Sequence, residues 1–223
     1  TKNSADNLIF HYHNYDRKYY IQGKKDKYCS ESLVAKGERE ITVNNKFSYG
    51  YGSEYKYDWG NFSTTSFTSQ TKGHVKNLGA FANVGYKFNE NQILSLYGRN
   101  DDHKETGANQ TYKINFTQFL GQFRLGATHS TGLKNPSLYE LYGSSSSYKG
   151  NAGIDPEKSK TNELYGEYNY SENIKFSSTT YRTSMNDRIK IKSDWSAYEN
   201  KTTDTTQEGL ESKLTFADKD QSI

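Results

Sequence analysis

The 223-residue sequence predicts an all-β protein, and three observations lead to that prediction. Apolar and aromatic residues alternate with polar ones at a period of two, which is typical of strands with one apolar face. Only 32% of the residues are hydrophobic, although 20 are Tyr and 11 are Phe, so they can form one thin apolar face rather than a thick core. Short polar connections also alternate with long ones. Together these features favour an antiparallel meander within a transmembrane β-barrel.

The alternation can be followed from strand to strand along the chain, and it predicts about ten strands. No segment has helical periodicity. The positions on the predicted lipid-facing side are Phe47, Tyr49, Tyr51, Tyr55, Tyr57 and Trp59 in 47–59; Leu78, Ala80, Ala82, Val84, Tyr86 and Phe88 in 78–88; Tyr112, Ile114 and Phe116; Phe119, Gly121, Phe123, Leu125 and Ala127 in 119–127; Leu164, Gly166, Tyr168 and Tyr170; and Leu210, Leu214 and Phe216.

The connections differ in length in a regular order, which is the pattern of periplasmic turns and extracellular loops in outer-membrane barrels. The sequence predicts short turns near 43–46, 88–91, 116–118, 170–173 and 218–221. It predicts longer polar connections near 21–31, 60–74, 101–109, 131–160 and 184–206, all at one end, with 131–160 the longest.

A soluble β-sandwich would alternate in the same way, so it is the competing fold. The predicted strands exceed the roughly 5–6 residues usual in globular sheets. Their polar faces also carry charges, such as Arg124, Glu163 and Glu167, which a wide lumen tolerates and a sandwich core does not. The barrel is therefore favoured.

Charge and cysteine usage exclude several classes of function. The 29 Lys and Arg residues are interspersed with 26 Asp and Glu residues, without the basic stripe that nucleic-acid-binding proteins use. The single cysteine, Cys29, excludes an intrachain disulfide framework and a CxxC metal site.

Both prolines fall in one region, "TGLKNPSLYELYG" (131–143) followed by "GNAGIDPEKSKTNELYGEY" (150–168). This region resembles the barrel of TonB-dependent outer-membrane receptors, where T-G-(F/Y)-K-x-P-x-L-x-x-L-Y-G precedes G-N-x-x-L-x-P-E-(K/R)-S. The spacing is most similar to cobalamin receptors, followed by colicin and siderophore receptors. Because proline is confined to strand ends, edges and bulges, both prolines are expected where strands leave the sheet. The matching positions that we interpret as architectural are Gly132, Pro136, Leu138, Tyr142, Gly143, Asn151, Pro156 and Glu157.

The resemblance implies a fold and a function for the whole protein. Barrels of this family have about 22 strands, so residues 1–223 are expected to be an open part of the barrel domain, without the plug domain or the C-terminal strands. The implied function is TonB-dependent uptake, across the outer membrane, of a bulky scarce nutrient such as cobalamin or an iron–siderophore or haem complex. The implied partners are outer-membrane lipid, that nutrient, and TonB through an N-terminal region. No enzymatic activity, cofactor or nucleic-acid partner is expected; a passive porin or adhesin barrel is the alternative.

Three tyrosines on or beside the longest predicted loop are candidates for substrate contact: Tyr139, Tyr142 and Tyr148. Stacking on a ligand is one interpretation. The other is membership of the aromatic girdle that barrels place at the membrane interface.

Asp101, Asp102 and His103 stand at a predicted rim, and such a group resembles the outer-membrane Asp/His proteases. Consecutive strand residues point to opposite faces, however, so a structural role at the rim is favoured and no catalytic residue is expected. Asp101, Asp102 and Asp155 are also weak candidates for binding Ca²⁺ at the loops, although no loop has the spaced ligands of a dedicated site. His11 and His13 are predicted to share a strand face, which could hold a metal.

Overall fold

The computed structural model describes residues 3–21, 23–64, 67–144 and 148–217. Most of them form strands. The elements are β1 (Asn3–Ile21), β2 (Lys24–Thr42), β3 (Phe47–Thr64), β4 (Phe67–Asn89), β5 (Gln92–His103), β6 (Gly107–Leu120), β7 (Phe123–Lys134), α1 (Leu138–Tyr142), β8 (Glu157–Asn169), β9 (Ile174–Asn186), β10 (Ile189–Ile191), β11 (Tyr198–Asn200) and β12 (Thr205–Phe216).

Ten strands form one antiparallel meander in the order β1-β2-β3-β4-β5-β6-β7-β8-β9-β12. The strands β10 and β11 form a separate hairpin between β9 and β12. Within the described residues β1 pairs with β2 alone and β12 pairs with β9 alone, so the sheet does not close on itself. The predicted strand number and the predicted open edges are both confirmed. No helix within the described ranges is long and apolar enough to cross a membrane.

The two faces of the sheet differ in chemistry. The outer face carries the predicted apolar stripe, and large side chains on it are exposed, including Leu78, Leu164 and Leu210. The inner face carries charged and polar side chains and is the face that α1 covers, through contacts with β3 and β4. Along β8 the outer-face residues from Lys158 to Leu164 are exposed while the inner-face residues between them are partly buried, which indicates a sheet curved towards its inner face.

One predicted stripe is corrected. Phe119 and Gly121 were placed with Phe123, Leu125 and Ala127, but the turn predicted at 116–118 lies at 121–122. Gly121 has φ +59°, the left-handed conformation that favours glycine, so the chain reverses there. Phe119 consequently belongs to β6 and pairs with Arg124, on the inner face. The turns at 43–46, 90–91 and 170–173 lie where they were predicted, and 218–221 lies outside the described residues.

Connections do fall within the predicted ranges 21–31, 60–74 and 101–109, but their predicted length is wrong, because the flanking strands extend into these ranges and leave only two or three residues between them. Polar residues there remain in the ladder, as in the pairing of Asp26 with Thr64. A ladder needs only backbone groups, and polar side chains beyond the membrane are solvated by water, so the loss of apolar alternation does not end a strand. The connection 135–156 is the longest, and it lies at the same end as the turn 104–106, as predicted.

The first prediction concerns the outer face. Leu125→Arg should destabilise the full-length protein in a bilayer by about 2–4 kcal/mol, because the substituted position faces hydrocarbon well inside the apolar band. Urea titration of protein refolded into vesicles measures this. The control is Ser177→Arg on the inner face, where Glu167 and Lys213 are the register partners, and its effect should be within about 1 kcal/mol. Equal destabilisation by both variants would contradict the assignment of the faces.

Candidate functional site

The inner face is covered at its loop end by a cap, formed by residues 135–144, 148–156 and the β10–β11 hairpin. Val75 of β4, Leu141 of α1 and Ile154 form its buried apolar cluster. Leu138, Tyr142, Ile189 and Tyr198 pack against this cluster. Because a single-layer sheet has no other core, this cluster is the main apolar packing in the described structure, and it holds the connection 135–156 against the strands.

The cap begins with the helix α1, which the sequence analysis did not predict. Pro136 stands just after β7 ends at Lys134, and Ser137 caps α1: its hydroxyl accepts from the Glu140 N–H, and the Glu140 carboxylate accepts from the Ser137 N–H at 2.7 Å. This reciprocal capping box stabilises a helix of five residues, which is too short to show helical periodicity. Pro156 immediately precedes β8, so both prolines mark strand ends as predicted.

Residues of the proline-containing motif join residues 148–156 to α1 through backbone hydrogen bonds. Gly150 donates from its N–H to the Gly143 carbonyl at 2.7 Å, and Asn151 donates from its N–H to the Glu140 carbonyl at 2.9 Å. A Cβ at Gly150 would overlap the Leu141 carbonyl group, so the chain can approach α1 this closely only with glycine there.

Asn200 of β11 joins the two segments of the cap. Its side-chain amide donates to the Asp155 carbonyl at 2.9 Å and accepts from the Asp155 N–H at 2.8 Å. It also donates to the Asp187 carbonyl at 2.7 Å. Glu157 contributes a second connection by accepting from the Lys134 ammonium group at 2.8 Å and from the Ile189 N–H at 3.1 Å. The region around both prolines therefore depends on the β10–β11 hairpin for its shape.

Tyr142 attaches the cap to the sheet through its ring, its hydroxyl and its carbonyl. Its ring lies against Gly73 of β4, where a side chain would overlap it. Its hydroxyl donates to the Glu105 carboxylate at 2.5 Å, and its carbonyl accepts from the Thr71 hydroxyl at 2.6 Å. The hydrogen bond from the Tyr142 hydroxyl lowers the pKa of the Glu105 carboxyl group, and Lys104 lowers it further by a smaller amount. Burial raises the pKa of the Tyr142 hydroxyl.

Tyr148 and Tyr139 form an aromatic stack within the cap. Their ring centroids lie 5.0 Å apart, and the buried Tyr148 hydroxyl donates to the Tyr139 carbonyl at 2.8 Å. Tyr139 also contacts Tyr28 and Phe62 of the inner face edge to face, at 5.4 and 5.7 Å between centroids. All three candidate tyrosines thus lie over the inner face, away from the exposed aromatics of the outer face. Only Tyr139 lines the cavity described next.

A cavity of about 740 Å³ lies beneath the cap, between residues 135–139 and the inner faces of β1 to β5. Its wall on β1 consists of His13, Tyr15, Arg17 and Tyr19, which alternate along one strand face. The Arg17 guanidinium lies 4.0 Å from the centroid of the Tyr19 ring, and no carboxylate of the described residues forms an ion pair with it.

The other charged residues of the cavity wall are Glu31, Lys56 and Asp58. The Glu31 carboxylate accepts from the Tyr12 hydroxyl at 2.6 Å and forms no ion pair with a described residue. Lys56 forms an ion pair of 2.9 Å with Asp58. The cavity thus combines several aromatic rings with one guanidinium that lacks an ion-pair partner in the described structure. That combination can hold flat, conjugated groups by stacking and an anionic group by a charge-assisted hydrogen bond.

Asp101 and His103 share the inner face of β5, while Asp102 pairs with Leu78 on the outer face. Asp101 is held by Arg99 through two hydrogen bonds of 2.7 Å and by the Asn77 amide at 2.7 Å. Arg99 also bridges to Glu54 at 2.8 Å. Every strong contact of the Asp101 carboxylate is therefore structural, and it orients no histidine.

His103 is buried, and its Nδ1 faces donors rather than a carboxylate. The N–H groups of Glu105 and Thr106 donate to it at 3.3 and 3.2 Å. A neutral imidazole that accepts at Nδ1 carries its proton on Nε2, so it has no free lone pair for a metal or for a substrate proton. Asp101 and His103 therefore do not form the catalytic pair that the Asp/His protease interpretation requires.

The metal candidates are not brought together. Asp101 and Asp102 point to opposite faces, and Asp155 lies in the cap, where its backbone pairs with Asn200. His11 and His13 share a face, as expected, with nearly parallel rings 6.3 Å apart. Within the part of the chain that the structure describes, no group of three or more His, Cys, Asp or Glu side chains could hold a metal ion.

Several residues of this site were missed by sequence reasoning. The period-two order of His13, Tyr15, Arg17 and Tyr19 is a signal that could have identified the β1 wall. Phe62 and Gly73 carry no such signal, because only the folding of 135–156 across the sheet brings α1 to them.

Comparisons with known proteins agree with this architecture. A family model described as "TonB dependent receptor-like, beta-barrel" matches residues 2–216. The vitamin B12 transporter BtuB of Vibrio cholerae serotype O1 is 29% identical over 176 residues, which are 78% of this chain and 27% of the relative. The chain therefore spans about a quarter of the length of that relative.

Two solved structures share the fold. The ferric enterobactin receptor PfeA of Pseudomonas aeruginosa superposes with a TM-score of 0.74 at 16% identity, over 94% of this chain and 38% of that receptor. The siderophore receptor PirA of Acinetobacter baumannii superposes with a TM-score of 0.70 at 18% identity, over 89% of this chain and 36% of that receptor. At these identities the likeness shows the fold alone.

The second prediction tests the packing of the Tyr142 ring against Gly73. Gly73→Ala should displace the Tyr142 ring and destabilise the docked cap by about 1–3 kcal/mol, as overpacking does. Limited proteolysis of the full-length protein should then cleave within 135–156 several-fold faster than in the wild type. Gly98→Ala is the control, because a Cβ there meets no atom within 4 Å, and its cleavage rate should not change. Equal cleavage rates for both variants would contradict the packing of the Tyr142 ring against Gly73.

The third prediction concerns pH. Because the folded-state pKa of Glu105 is lowered, its contribution to cap docking is present above the ordinary Glu pKa of about 4.3 and is lost as the pH falls below it. Hydrogen exchange within 138–142, corrected for the intrinsic rate, should show protection that falls below about pH 4.3. Tyr142→Phe should weaken this pH dependence, and an unchanged profile in that variant would contradict the assignment.

Proposed function

The chain belongs to the family of TonB-dependent receptor-like β-barrels, and on this premise we propose that it forms part of the wall of an outer-membrane active transporter. The observation that carries the proposal is the pairing of a continuous apolar outer face with a cap that encloses a cavity on the inner face. The outer face suits lipid, and the cavity is accessible at the end of the barrel that bears the long connections.

The proposed substrate is a bulky, scarce nutrient such as cobalamin or an iron–siderophore or haem complex. Arg17 would hold an anionic group, and Tyr139, Tyr19 and Tyr28 would stack on a flat part of the ligand. Tyr142 and Tyr148 would support the cap rather than contact the ligand. Energy would come from TonB, acting through an N-terminal region of the full-length protein. The similarity to a vitamin B12 transporter supports cobalamin. The Arg17 guanidinium, which has no ion-pair partner among the described residues, and its aromatic neighbours support an anionic, conjugated iron complex.

A passive porin or adhesin and a rim protease are the competing functions. The relatives are named as transporters and receptors, and the environments of Asp101 and His103 offer no general base. We therefore propose a non-enzymatic role.

The fourth prediction is an uptake experiment with the full-length gene, expressed in a Gram-negative host that lacks its own receptors. Cells should accumulate one of three labelled substrates: cyanocobalamin, ferric siderophores or haem. Accumulation should stop when TonB is deleted or a protonophore is added, because active passage needs both. Uptake that persists in both conditions would support a passive porin instead.

The same assay tests the binding residues. Tyr139→Ala should raise the half-saturating concentration by about 2- to 10-fold, the loss expected for an aromatic contact of about 0.5–1.5 kcal/mol. Tyr55→Ala on the outer face is the control and should leave that concentration unchanged. Equal values for Tyr139→Ala and the wild type would remove Tyr139 from the binding site without affecting the transport proposal.

A further inference from the structure

His103 holds the turn 104–106 together through a single ring atom. It is the last residue of β5 and lies beyond the lipid-facing segment, since the outer-face positions of this strand are polar from Asn100 onwards. Its Nδ1 accepts from the N–H groups of Glu105 and Thr106 at 3.3 and 3.2 Å, and the Thr106 hydroxyl lies 3.1 Å from the same atom. Only a neutral imidazole can accept at Nδ1, because both ring nitrogens of the protonated form are donors. The conformation of this turn therefore depends on the protonation state of His103.

Two other turns of the chain use the same hydrogen-bond pattern with side chains that do not titrate near neutral pH. The Asn44 Oδ1 atom accepts from the N–H groups two and three residues later at 2.8 and 2.9 Å. The Ser171 Oγ atom accepts from the corresponding N–H groups of Asn173 and Ile174 at 3.3 and 3.1 Å. A turn of this kind consequently needs an acceptor but not a histidine. The imidazole at position 103 adds a sensitivity to pH that the other two turns lack.

The turn that His103 holds is also where the cap is attached to the end of β5. Glu105 accepts from the Tyr142 hydroxyl at 2.5 Å, and the Thr106 hydroxyl donates to the Asn135 side-chain carbonyl at 3.0 Å. These two contacts reach the first residue of the longest connection and the last residue of α1. His103 and Asn135 also line the cavity beneath the cap. A change in the shape of the turn would therefore act on the cap and on the cavity that it covers.

The immediate surroundings of His103 favour its neutral form at neutral pH. The residue is 4% exposed, and burial lowers the pKa of its imidazole below the ordinary value of about 6.5. Glu105, Asp58 and Asp101 act on this pKa in the opposite direction, and Lys56 acts in the same direction. Each of the three carboxylates already has a cationic partner, in the same order Lys104 at 3.0 Å, Lys56 at 2.9 Å and Arg99 at 2.7 Å.

The other elements around this histidine add positive rather than negative charge. Its register partner on β4 is the neutral Asn77, and its partner on β6 is a glycine. The part of the cap that lines the same cavity, residues 135–139, contains no charged side chain. The Tyr142 hydroxyl, whose pKa burial raises, stays protonated near neutral pH. On β1, the wall of the cavity contributes His13 and Arg17, and the Arg17 charge also disfavours an imidazolium.

We propose that His103 is a pH-sensitive switch that controls how tightly the cap is docked on the sheet. Uptake of a proton from solvent at Nδ1 replaces its lone pair by an N–H group, which then faces the N–H groups of Glu105 and Thr106. The Thr106 hydroxyl oxygen can accept from this new N–H group, but the two backbone donors lose their acceptor, so the turn opens. Opening displaces both contacts that hold the cap and makes the cavity more accessible.

Acid should weaken docking, because the undocked cap binds the proton more tightly than the docked cap does. Docking requires a neutral His103, whereas the hydrated imidazole of the undocked cap has its ordinary pKa of about 6.5. Docking is therefore strongest above about pH 6.5 and weakens as the pH falls below it. At pH 5.0 the docking constant should fall by at most about 30-fold, the factor set by about 1.5 pH units. The titration of Glu105 lies in a separate window, below about pH 4.3.

The fifth prediction is a hydrogen-exchange experiment on the full-length protein in a non-ionic detergent, between pH 7.5 and 5.0. After correction for the intrinsic rate, the protection of 138–142 should fall by about 5- to 30-fold over this range. The peptide that contains the Glu105 and Thr106 amides should lose protection with the same midpoint. A wild-type profile that does not change would overturn the proposal, and so would loss of protection in 138–142 without loss at Glu105 and Thr106.

His103→Asn is the decisive variant, because Asn can accept from the same two N–H groups without taking up a proton, as Asn44 does. Its protection should resemble that of the wild type at pH 7.5 and should stay constant down to pH 5.0. A transition that persists in this variant would assign the pH dependence to another group. If the variant docks its cap poorly at pH 7.5, the shared midpoint of the two wild-type peptides decides.

Two further variants separate the switch from other titrations. Glu105→Gln should keep the transition between pH 7.5 and 5.0, at a slightly lower pH, because the carboxylate that favours the imidazolium is gone. Loss of the transition in this variant would assign it to Glu105 instead. The matched control is His11→Asn, which removes an exposed histidine from the inner face of β1 and should leave the profile unchanged. Heat-modifiable mobility on gels verifies that each variant is folded.

Discussion

The backbone of a chain within a membrane must satisfy its own hydrogen bonds, and this constraint shapes the rest of the structure. Ten long strands that pair in sequence order meet it along most of their length. Among the described residues, the outer edges of β1 and β12 lack a partner strand, and β6 pairs with β7 only from Lys113 onwards. Because the ladder uses backbone groups alone, the side chains of each face can follow the solvent on that side. The outer face, which contacts lipid, is therefore apolar, and the inner face, which contacts water, is polar. A hydrophobic content of 32% is therefore sufficient for this fold.

A single-layer sheet supplies no core, so the cap depends on a small number of local devices. A capping box starts α1, Gly73 gives Tyr142 a place on the sheet, and Asn200 binds the backbone of the connection it faces. These devices lie on three separate segments of the chain: β4, the connection 135–156 and β11. All of them hold the cap that covers the cavity, so the position of the cap is coupled to the β10–β11 hairpin, none of whose residues lines the cavity.

The two faces give the protein two distinct chemistries that do not compete for the same residues. On the inner face, aromatic rings and Arg17 line the cavity beneath the cap. On the outer face, large apolar side chains such as Leu164 and Leu210 are exposed. Alternation along a strand separates the two sets, because neighbouring residues point in opposite directions. One stretch of β8 or β9 can therefore serve the membrane and the lumen at once.

The sequence by itself determined the fold class, the strand number, the lipid-facing positions and the strand ends at Pro136 and Pro156, because each follows from local periodicity or from proline's missing N–H. The sequence analysis placed the turn at 116–118, before Phe119, whereas the chain reverses at 121–122. Both positions contain polar residues, so the pattern alone did not distinguish them. Only the tertiary structure decided that α1 lies over β3 and β4, that Tyr139 contacts Phe62, and that His103 accepts from backbone N–H groups. Those contacts join residues far apart in sequence, and a periodic pattern reports the face a residue occupies but not which distant segment covers it.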